Sequence, residues 1–370
     1  MSTGSSRRNF LVAGLTIPVA GLAEPPKTGL AAPQPGGLRY RTLGKTALKV
    51  TTVGYGCMIT SDPTVITRAA ELGINYFDTA RSYQNGNNER MVGAALKGWR
   101  DKITLSSKSD AKTGTQALAD LDTSLKELGT DHLDIWYMHM RDAPDTITDD
   151  LVTAWEKAKQ QGKIRHIGMS THKPNVMVER VLEVGKFEVV LSTYSFAIGT
   201  KNDPAYEKLA AAGIGMVAMK VMAPAARAKK PDGPLAALKW VLRDTRFATT
   251  IPSMTDMEQL EMNFRAMAEP YGSAEEKLLA RIDDQIRPLY CRMCNQCDGQ
   301  CPQGVMIPET IRSLAYADFY GQFALGRERF LALPEQTRSV RCGDCGSCRV
   351  KCPNGVHVQE RLTRAQELFG

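Results

Sequence analysis

Short apolar runs alternate with amphipathic stretches over residues 38–271. Each run has the length of a buried strand, and the intervening segments are long enough for helices of about ten to fifteen residues. One of them, TQALADLDTSLKELG, places Leu118, Leu121 and Leu125 on one face and ends at Gly129. The eight runs are VTTVGYG, INYFDTA, KITLSSK, LDIWYMH, IRHIGMS, EVVLSTYS, GMVAMKV and ATTIPSM.

Strands that alternate with helices pair in parallel through right-handed crossovers. Eight such units in a segment of this length match a (β/α)8 TIM barrel, in which the chemistry lies where strands end and loops begin. We therefore predict an α/β protein with a barrel at 38–271 and a small, mainly helical domain at 272–370.

The segment after the barrel holds eight of the nine cysteines, in the two runs CRMCNQCDGQCP (291–302) and CGDCGSCRVKCP (342–353). Disulfides do not require one spacing twice, and zinc knuckles have a longer spacer between their cysteine pairs. The pattern C-x2-C-x2-C-x3-C-P favours two [4Fe–4S] clusters, with the fourth cysteine of each run binding the other cluster. The predicted ligands are Cys291, Cys294, Cys297 and Cys352 for one cluster, and Cys342, Cys345, Cys348 and Cys301 for the other.

Both runs resemble those of bacterial two-cluster ferredoxins. Between them lie forty residues with apolar side chains at helical spacing, among them Ile311, Leu314 and Phe319. This spacer is more similar to the helical ferredoxin modules of larger redox enzymes. The resemblance implies a domain that transfers electrons.

Polar side chains close or follow four of the predicted strands: Asp78, Tyr83, Lys108 and His139. With the stretches LGKTALKVTTVGYG, GINYFDTARSY, NERMVGAAL, SLKELGTDHLDIWYMH and GKIRHIGMS, residues 38–271 resemble the aldo-keto reductases. The resemblance implies that these four side chains are a catalytic tetrad. It also implies that a small-molecule carbonyl or alcohol is the substrate.

The tetrad suits carbonyl chemistry. Reduction of a carbonyl needs a proton donor at the oxygen, where negative charge grows. A neighbouring lysine ammonium lowers the pKa of a tyrosine from about 10. A carboxylate keeps the lysine charged and a histidine steers the carbonyl, so we expect Lys108 to lower the pKa of Tyr83.

The nicotinamide positions that the resemblance implies are partly changed. Ser170 is kept, but Thr171 stands where asparagine is usual, and Leu191 replaces a glutamine. Met219 occupies the position of a stacking aromatic residue. Lys220 follows it and could meet an anionic group.

The segment IPSMTDMEQLEMNF corresponds to the adenosine-phosphate region of the family and keeps Asn263. Ser253 and Gln259 stand where a lysine and an arginine often clamp the 2′-phosphate of NADP. A phosphate without basic partners is poorly compensated. The sequence is thus compatible with NAD(P)(H) but shows no clamp for the NADP phosphate.

The N-terminal string S-R-R-x-F-L, with Arg7 and Arg8, resembles a twin-arginine export signal. We predict a signal peptide at 1–23 and a linker at 24–37, EPPKTGLAAPQPGG. Twin-arginine export moves folded proteins, which suits a chain that acquires clusters in the cytosol. The predicted location is the periplasm or another compartment reached by this route.

The net charge of +7 and the content of 43% hydrophobic and 24% charged residues are those of an ordinary globular protein and do not favour nucleic-acid binding. Beyond the signal peptide, no apolar run approaches the roughly eighteen residues that a membrane span needs.

Two hypotheses follow. The first is an exported iron–sulfur oxidoreductase of the aldo-keto reductase type, which exchanges electrons with an unknown redox partner protein or a quinone. The second is an electron-transfer protein whose barrel is a non-catalytic docking module.

Overall fold

A computed structural model describes residues 37–222, 225, 232–346 and 348–370. The described chain begins with an antiparallel hairpin of β1 (Tyr40–Thr42) and β2 (Lys49–Thr51), in which Arg41 lies opposite Val50. The predicted signal peptide at 1–23 lies outside the described residues, as does the predicted linker at 24–37 apart from its last residue.

Eight parallel strands follow the hairpin, and neighbours in sequence are neighbours in the sheet from β3 to β10. Parallel bridges from Val53 to Thr250 and from Gly56 to Ser253 link the first strand to the last, which nearly closes the barrel. The (β/α)8 prediction is confirmed. The strands are β3 (Tyr55–Gly56), β4 (Tyr76–Asp78), β5 (Thr104–Ser109), β6 (Leu133–Met138), β7 (Ile164–Thr171), β8 (Val189–Thr193), β9 (Gly215–Met219) and β10 (Phe247–Thr250).

Helices surround the strands and pack their apolar faces on them. Helix α3 shows the local signals clearly: the Thr113 side chain accepts a hydrogen bond from the Gln116 N–H at its start, and Gly129 ends it with φ 64°. The barrel helices are α1 (Pro63–Glu71), α2 (Asn87–Ala95), α3 (Gly114–Leu128), α4 (Asp149–Gln160), α5 (Pro174–Val184), α6 (Asp203–Ala211), α7 (Gly233–Leu242) and α8 (Met257–Ala268).

The first predicted strand, VTTVGYG, is divided in the structure. Its first half belongs to β2 of the hairpin and its second half is β3 of the barrel. Gly54 lies between the two halves, and a Cβ at this position would come within 2.9 Å of the Tyr76 carbonyl oxygen. An apolar run alone does not show where a strand leaves one sheet for another.

The C-terminal segment is helical and packs on the barrel. Ile282 and Ile286 share a buried cluster with Ala236 and Ala237 of α7 and with Phe319. Among the described helices, none is long and apolar enough to cross a membrane. The C-terminal helices are α9 (Ser273–Ile286), α10 (Ile307–Tyr320), α11 (Phe323–Leu331), α12 (Glu335–Ser339) and α13 (Val358–Phe369).

Candidate active site

The four predicted tetrad residues line one cavity of about 320 Å³ at the carboxyl ends of the barrel strands. Asp78 ends β4, Lys108 lies near the end of β5, and His139 directly follows β6. Tyr83 begins a short 3-10 helix after β4. Parallel strands bring their carboxyl ends to one rim, so residues far apart in sequence meet there.

The Lys108 ammonium lies 2.5 Å from Asp78 Oδ2 and 2.6 Å from the Thr79 carbonyl oxygen, and all three residues are buried. Ser106 Oγ donates to the other carboxylate oxygen of Asp78 at 2.7 Å. Burial alone would lower the pKa of Lys108, but Asp78 and then Tyr83 raise it. The lysine is therefore held charged and in a fixed position.

Lys108 Nζ also donates to the Tyr83 hydroxyl oxygen at 3.3 Å and lies 4.8 Å from the centre of its ring. The expected lowering of the Tyr83 pKa is not found. Burial raises that pKa above 10, and Lys108 offsets the increase only in part. Tyr83 is therefore a protonated phenol at neutral pH, the form that can donate a proton.

His139 meets the Tyr83 ring edge-on, with 5.9 Å between the ring centres. Burial, followed by the charge of Lys108, lowers its pKa well below 6.5, so the ring is neutral. Its Nδ1 has no hydrogen-bond partner among the described residues. A neutral imidazole beside a phenol can orient a carbonyl oxygen by a hydrogen bond.

The roof of the cavity comes from the C-terminal segment. Tyr316 and Tyr320 of α10, and Leu325 and Arg329 of α11, line the same cavity as the tetrad. These four residues are not among those predicted from the sequence. Their only sequence signal is the i, i+4 spacing of the two tyrosines, which puts them on one helix face.

Polar contacts fix this roof to the barrel. Arg312 of α10 lies 3.1 Å from Asp142, which also accepts from the Thr171 hydroxyl at 3.0 Å. Lys173 lies 3.0 Å from Glu309, at the start of α10. The roof therefore has a defined position over the tetrad.

The predicted nicotinamide residues do not form one site. Ser170 lines the cavity, and its hydroxyl accepts from the Met140 N–H at 2.9 Å. Lys220 also lines it. Thr171 does not, because its hydroxyl bonds to Asp142 and thereby supports the contact with α10.

Ser253 and Gln259 line a neighbouring groove of about 760 Å³, which shares Lys220 with the cavity. Asn263 is fully buried and does not line the groove, and neither of its side-chain amide atoms has a partner among the described residues. The acidic residues of the groove outnumber its basic ones, and Arg265 is paired with Glu269. The acidic side chains are those of Asp232, Asp256, Glu258 and Glu261.

In the described chain, none of the eight clustered cysteines forms a disulfide, and they fall into two sets. Cys297 interacts electrostatically with Cys291, Cys352 and Cys294. The corresponding neighbours of Cys342 are Cys301, Cys348 and Cys345. These are the sets that the crossed ligand pattern predicts.

The surroundings of the thiols suit clusters. The Asn354 amide donates to Cys294 Sγ at 3.1 Å, and the Met293 N–H donates to Cys291 Sγ at 3.4 Å. Within the part of the chain that the structure describes, no group of three or more His, Cys, Asp or Glu residues could hold a single metal ion. A four-iron cubane is held by one thiolate at each of its four corners, and each of the two sets contains four cysteines.

Comparison with protein families agrees with both halves of this architecture. Residues 61–234 match the aldo/keto reductase family, and residues 290–357 match a 4Fe-4S dicluster domain. This chain contains an aldo/keto reductase domain and a 4Fe-4S dicluster domain. The prediction of an oxidoreductase enzyme of the aldo-keto reductase type is confirmed by these matches and by those that follow.

Curated relatives match part of the chain. The chain is 26% identical to L-galactose dehydrogenase of Arabidopsis thaliana over 308 residues, which cover 68% of this chain and 95% of the relative. It is 35% identical to the uncharacterized oxidoreductase YqkF of Bacillus subtilis (strain 168) over 161 residues, 39% of this chain. That match spans about half (52%) of the length of YqkF.

Solved structures match over a similar share of the chain. The holo form of an aldo-keto reductase from Bacillus halodurans is 26% identical, with a TM-score of 0.59, and covers 66% of this chain and 96% of its own. An aldo-keto reductase from Klebsiella pneumoniae in complex with NADPH is 23% identical, with a TM-score of 0.56. The match covers 66% of this chain and 95% of that structure's chain. The second match shows the fold alone.

The residues of the aldo/keto reductase domain do not fit NADP. The acidic groove offers no free basic pair for a 2′-phosphate. Leu191 and Met219, the apolar residues at positions that the family resemblance assigns to nicotinamide contacts, line the cavity.

Proposed function

We propose that this chain is an exported iron–sulfur oxidoreductase that interconverts a carbonyl and an alcohol, with electrons passing through two [4Fe–4S] clusters. One observation carries the proposal. The four tetrad side chains lie in one cavity, and the roof of that cavity is formed by helices of the segment that bears the cysteines.

Reduction of a carbonyl to an alcohol consumes two electrons and two protons. Tyr83 donates the proton that the oxygen receives. Two single electrons from the reduced partner and a proton from solvent complete the new C–H bond at the carbon. Lys108 stabilises the phenolate form of Tyr83 that remains after proton donation, because the Lys108 ammonium lies 3.3 Å from the Tyr83 hydroxyl oxygen. His139 orients the carbonyl oxygen toward Tyr83.

The two thiol sets would hold the clusters, with Cys291, Cys294, Cys297 and Cys352 on one and Cys342, Cys345, Cys348 and Cys301 on the other. A bound [4Fe–4S] cluster exchanges electrons one at a time. A nicotinamide instead transfers two electrons together, as a hydride. The clusters are therefore better suited to a partner that exchanges electrons singly. We propose a redox protein or a quinone as the partner, with the quinone accepting electrons when an alcohol is oxidised and its quinol donating them when a carbonyl is reduced.

We further propose that the chain is exported by the twin-arginine route and acts in the periplasm. The S-R-R-x-F-L string and a cargo that must fold around its clusters before export support this location.

Nucleotide titration of the holoprotein, purified without oxygen, tests the electron source. We expect NADPH to bind no more tightly than NADH, because the acidic groove repels the additional phosphate. Nucleotide fluorescence and cluster absorbance should be followed together. If NADPH binds at least ten-fold more tightly than NADH, the conclusion that the groove has no site for the 2′-phosphate of NADP is contradicted.

Carbonyl reduction driven by reduced methyl viologen then tests the function itself. Turnover of a panel of aldehydes and ketones without nucleotide is the expected result. If no carbonyl is reduced with viologen, NADH or NADPH, the second candidate is favoured, an electron-transfer protein with a docking barrel. The altered positions Thr171, Leu191 and Met219 favour that candidate, whereas the intact tetrad opposes it.

The pH dependence of viologen-driven reduction is a further prediction. The pKa of Tyr83 is raised above 10 and that of His139 is lowered below 6.5, so neither group titrates between about pH 7 and 9. We expect a flat rate over that interval and a decline above pH 10, as Tyr83 loses its proton. The pKa of Tyr316, another phenol of the cavity, is lowered, so its titration would change the rate at a lower pH than that of Tyr83. Tyr316→Phe removes this group and serves as the control. A decline near pH 8 that persists in this variant would contradict the assignment.

A further inference from the structure

The cavity wall carries more positive charge than the tetrad uses. Lys108 is neutralised by Asp78, but Lys220 and Arg329 face the same space. The remaining acidic residue of the wall, Glu328, is exposed. In the described part of the chain, neither Lys220 nor Arg329 forms an ion pair.

Lys220 is held in a strained position at the rim. It directly follows β9 and has φ 59°, a left-handed conformation that a side-chain-bearing residue rarely adopts. Its ammonium donates to the Tyr316 hydroxyl oxygen at 3.2 Å and lies 4.6 Å from the centre of that ring. The phenol and ring position the ammonium without neutralising it.

Arg329 reaches the same space from the roof. Its Nε is buried and has no hydrogen-bond partner among the described residues. Its charge acts on both His139 and Tyr316 and thus lies near the tetrad. A buried guanidinium N–H without an acceptor is costly, which points to an acceptor supplied by a ligand.

Strained backbone also concentrates at this cavity. Gln84, Asn85 and Met140 line it with φ values of 50°, 54° and 52°, as Lys220 does with 59°. Residues held in this conformation cluster at ligand sites. The cavity is therefore shaped for a bound molecule.

We propose that Lys220 and Arg329 bind an anionic group of the substrate, a carboxylate or a phosphate, while Tyr83 and His139 meet its carbonyl oxygen. This inference rests on the proposed function and narrows it to carbonyl compounds that carry an acidic group near the carbonyl. Lys220 belongs to the barrel and Arg329 to the cysteine-bearing segment, so the substrate would contact both domains at once.

Binding of phenylglyoxylate and of its methyl ester tests this proposal, because the two share a ketone and differ in charge. Calorimetry on the holoprotein, prepared without oxygen, is expected to show the acid bound at least ten-fold tighter than the ester. Arg329→Met should weaken binding of the acid about ten-fold or more and leave ester binding unchanged. Arg329→Lys should recover part of the loss.

Arg327→Met is the matched control, since Arg327 lies on the same helix but is exposed and does not line the cavity. It should bind both ligands as the wild type does. Cluster absorbance reports whether each variant is folded, and Lys220→Met gives an independent second test.

Three outcomes would overturn the proposal: equal binding of acid and ester, no saturable binding of the acid, or unchanged acid binding in Arg329→Met. A fourth outcome would overturn the role of Lys220 alone. If Lys220→Met weakens the binding of NADH but not the binding of the acid, the lysine would be assigned to the phosphates of a nucleotide. Binding needs no turnover, so acid binding without carbonyl reduction would refute the proposed function and not this inference.

Discussion

Replacing Tyr83 by phenylalanine is expected to lower carbonyl turnover about 10²- to 10⁴-fold, the range that a positioned proton donor contributes. The substitution removes one oxygen and keeps the ring beside His139 and Lys108. Steady-state kinetics with an excess of a one-electron donor would measure the effect. Because the substrate carbonyl still fits, kcat should fall much more than KM rises.

Tyr40→Phe is the control, because this tyrosine is exposed on β1, away from the cavity. Cluster absorbance should be unchanged in both variants. Turnover within about three-fold of wild type in Tyr83→Phe would assign the proton to another group. Of the two other phenols that line the cavity, Tyr316 and Tyr320, Tyr316 would then be examined first.

The barrel could be predicted because each strand is a short apolar run between amphipathic helices, a pattern that depends on neighbouring residues only. The divided run VTTVGYG shows the limit of this approach. Its residues favour an extended chain throughout, and the transfer from hairpin to barrel at Gly54 depends on packing against Tyr76, which is distant in sequence.

The tetrad could be predicted for a related reason. Asp78, Lys108 and His139 each lie at the end of a strand, and the barrel topology alone brings such positions together. The pKa of Tyr83 could not be predicted, because the sequence does not show how much solvent the roof removes. Burial outweighs the neighbouring lysine, and that burial depends in part on α10 and α11.

Tyr316 and Arg329 could not be found from the sequence, since both lie far along the chain from every tetrad residue. The helical pattern of the spacer was visible, but a pattern of apolar residues does not reveal what a helix covers. Thr171 shows a contact that family resemblance does not indicate. Its hydroxyl donates to Asp142, which in turn contacts Arg312.

The cysteine pattern leads to the second large effect that we expect. Cys294→Ala should lower the iron content from about eight to about four atoms per chain, because one corner of a four-thiolate cluster loses its ligand. Iron analysis of protein purified without oxygen, combined with electron paramagnetic resonance of the reduced form, would measure the loss. Cys294 is partly exposed and accepts from the Asn354 amide, so its replacement removes a ligand without leaving a large core cavity.

Cys57→Ala is the matched control, since this ninth cysteine is fully buried in the barrel, far in sequence from both runs. It should leave the iron content unchanged. Iron that stays at about eight atoms in Cys294→Ala would contradict the ligand assignment. A wild-type protein that contains zinc and no iron would refute the clusters altogether, and the roof over the tetrad would then have a structural role without electron transfer.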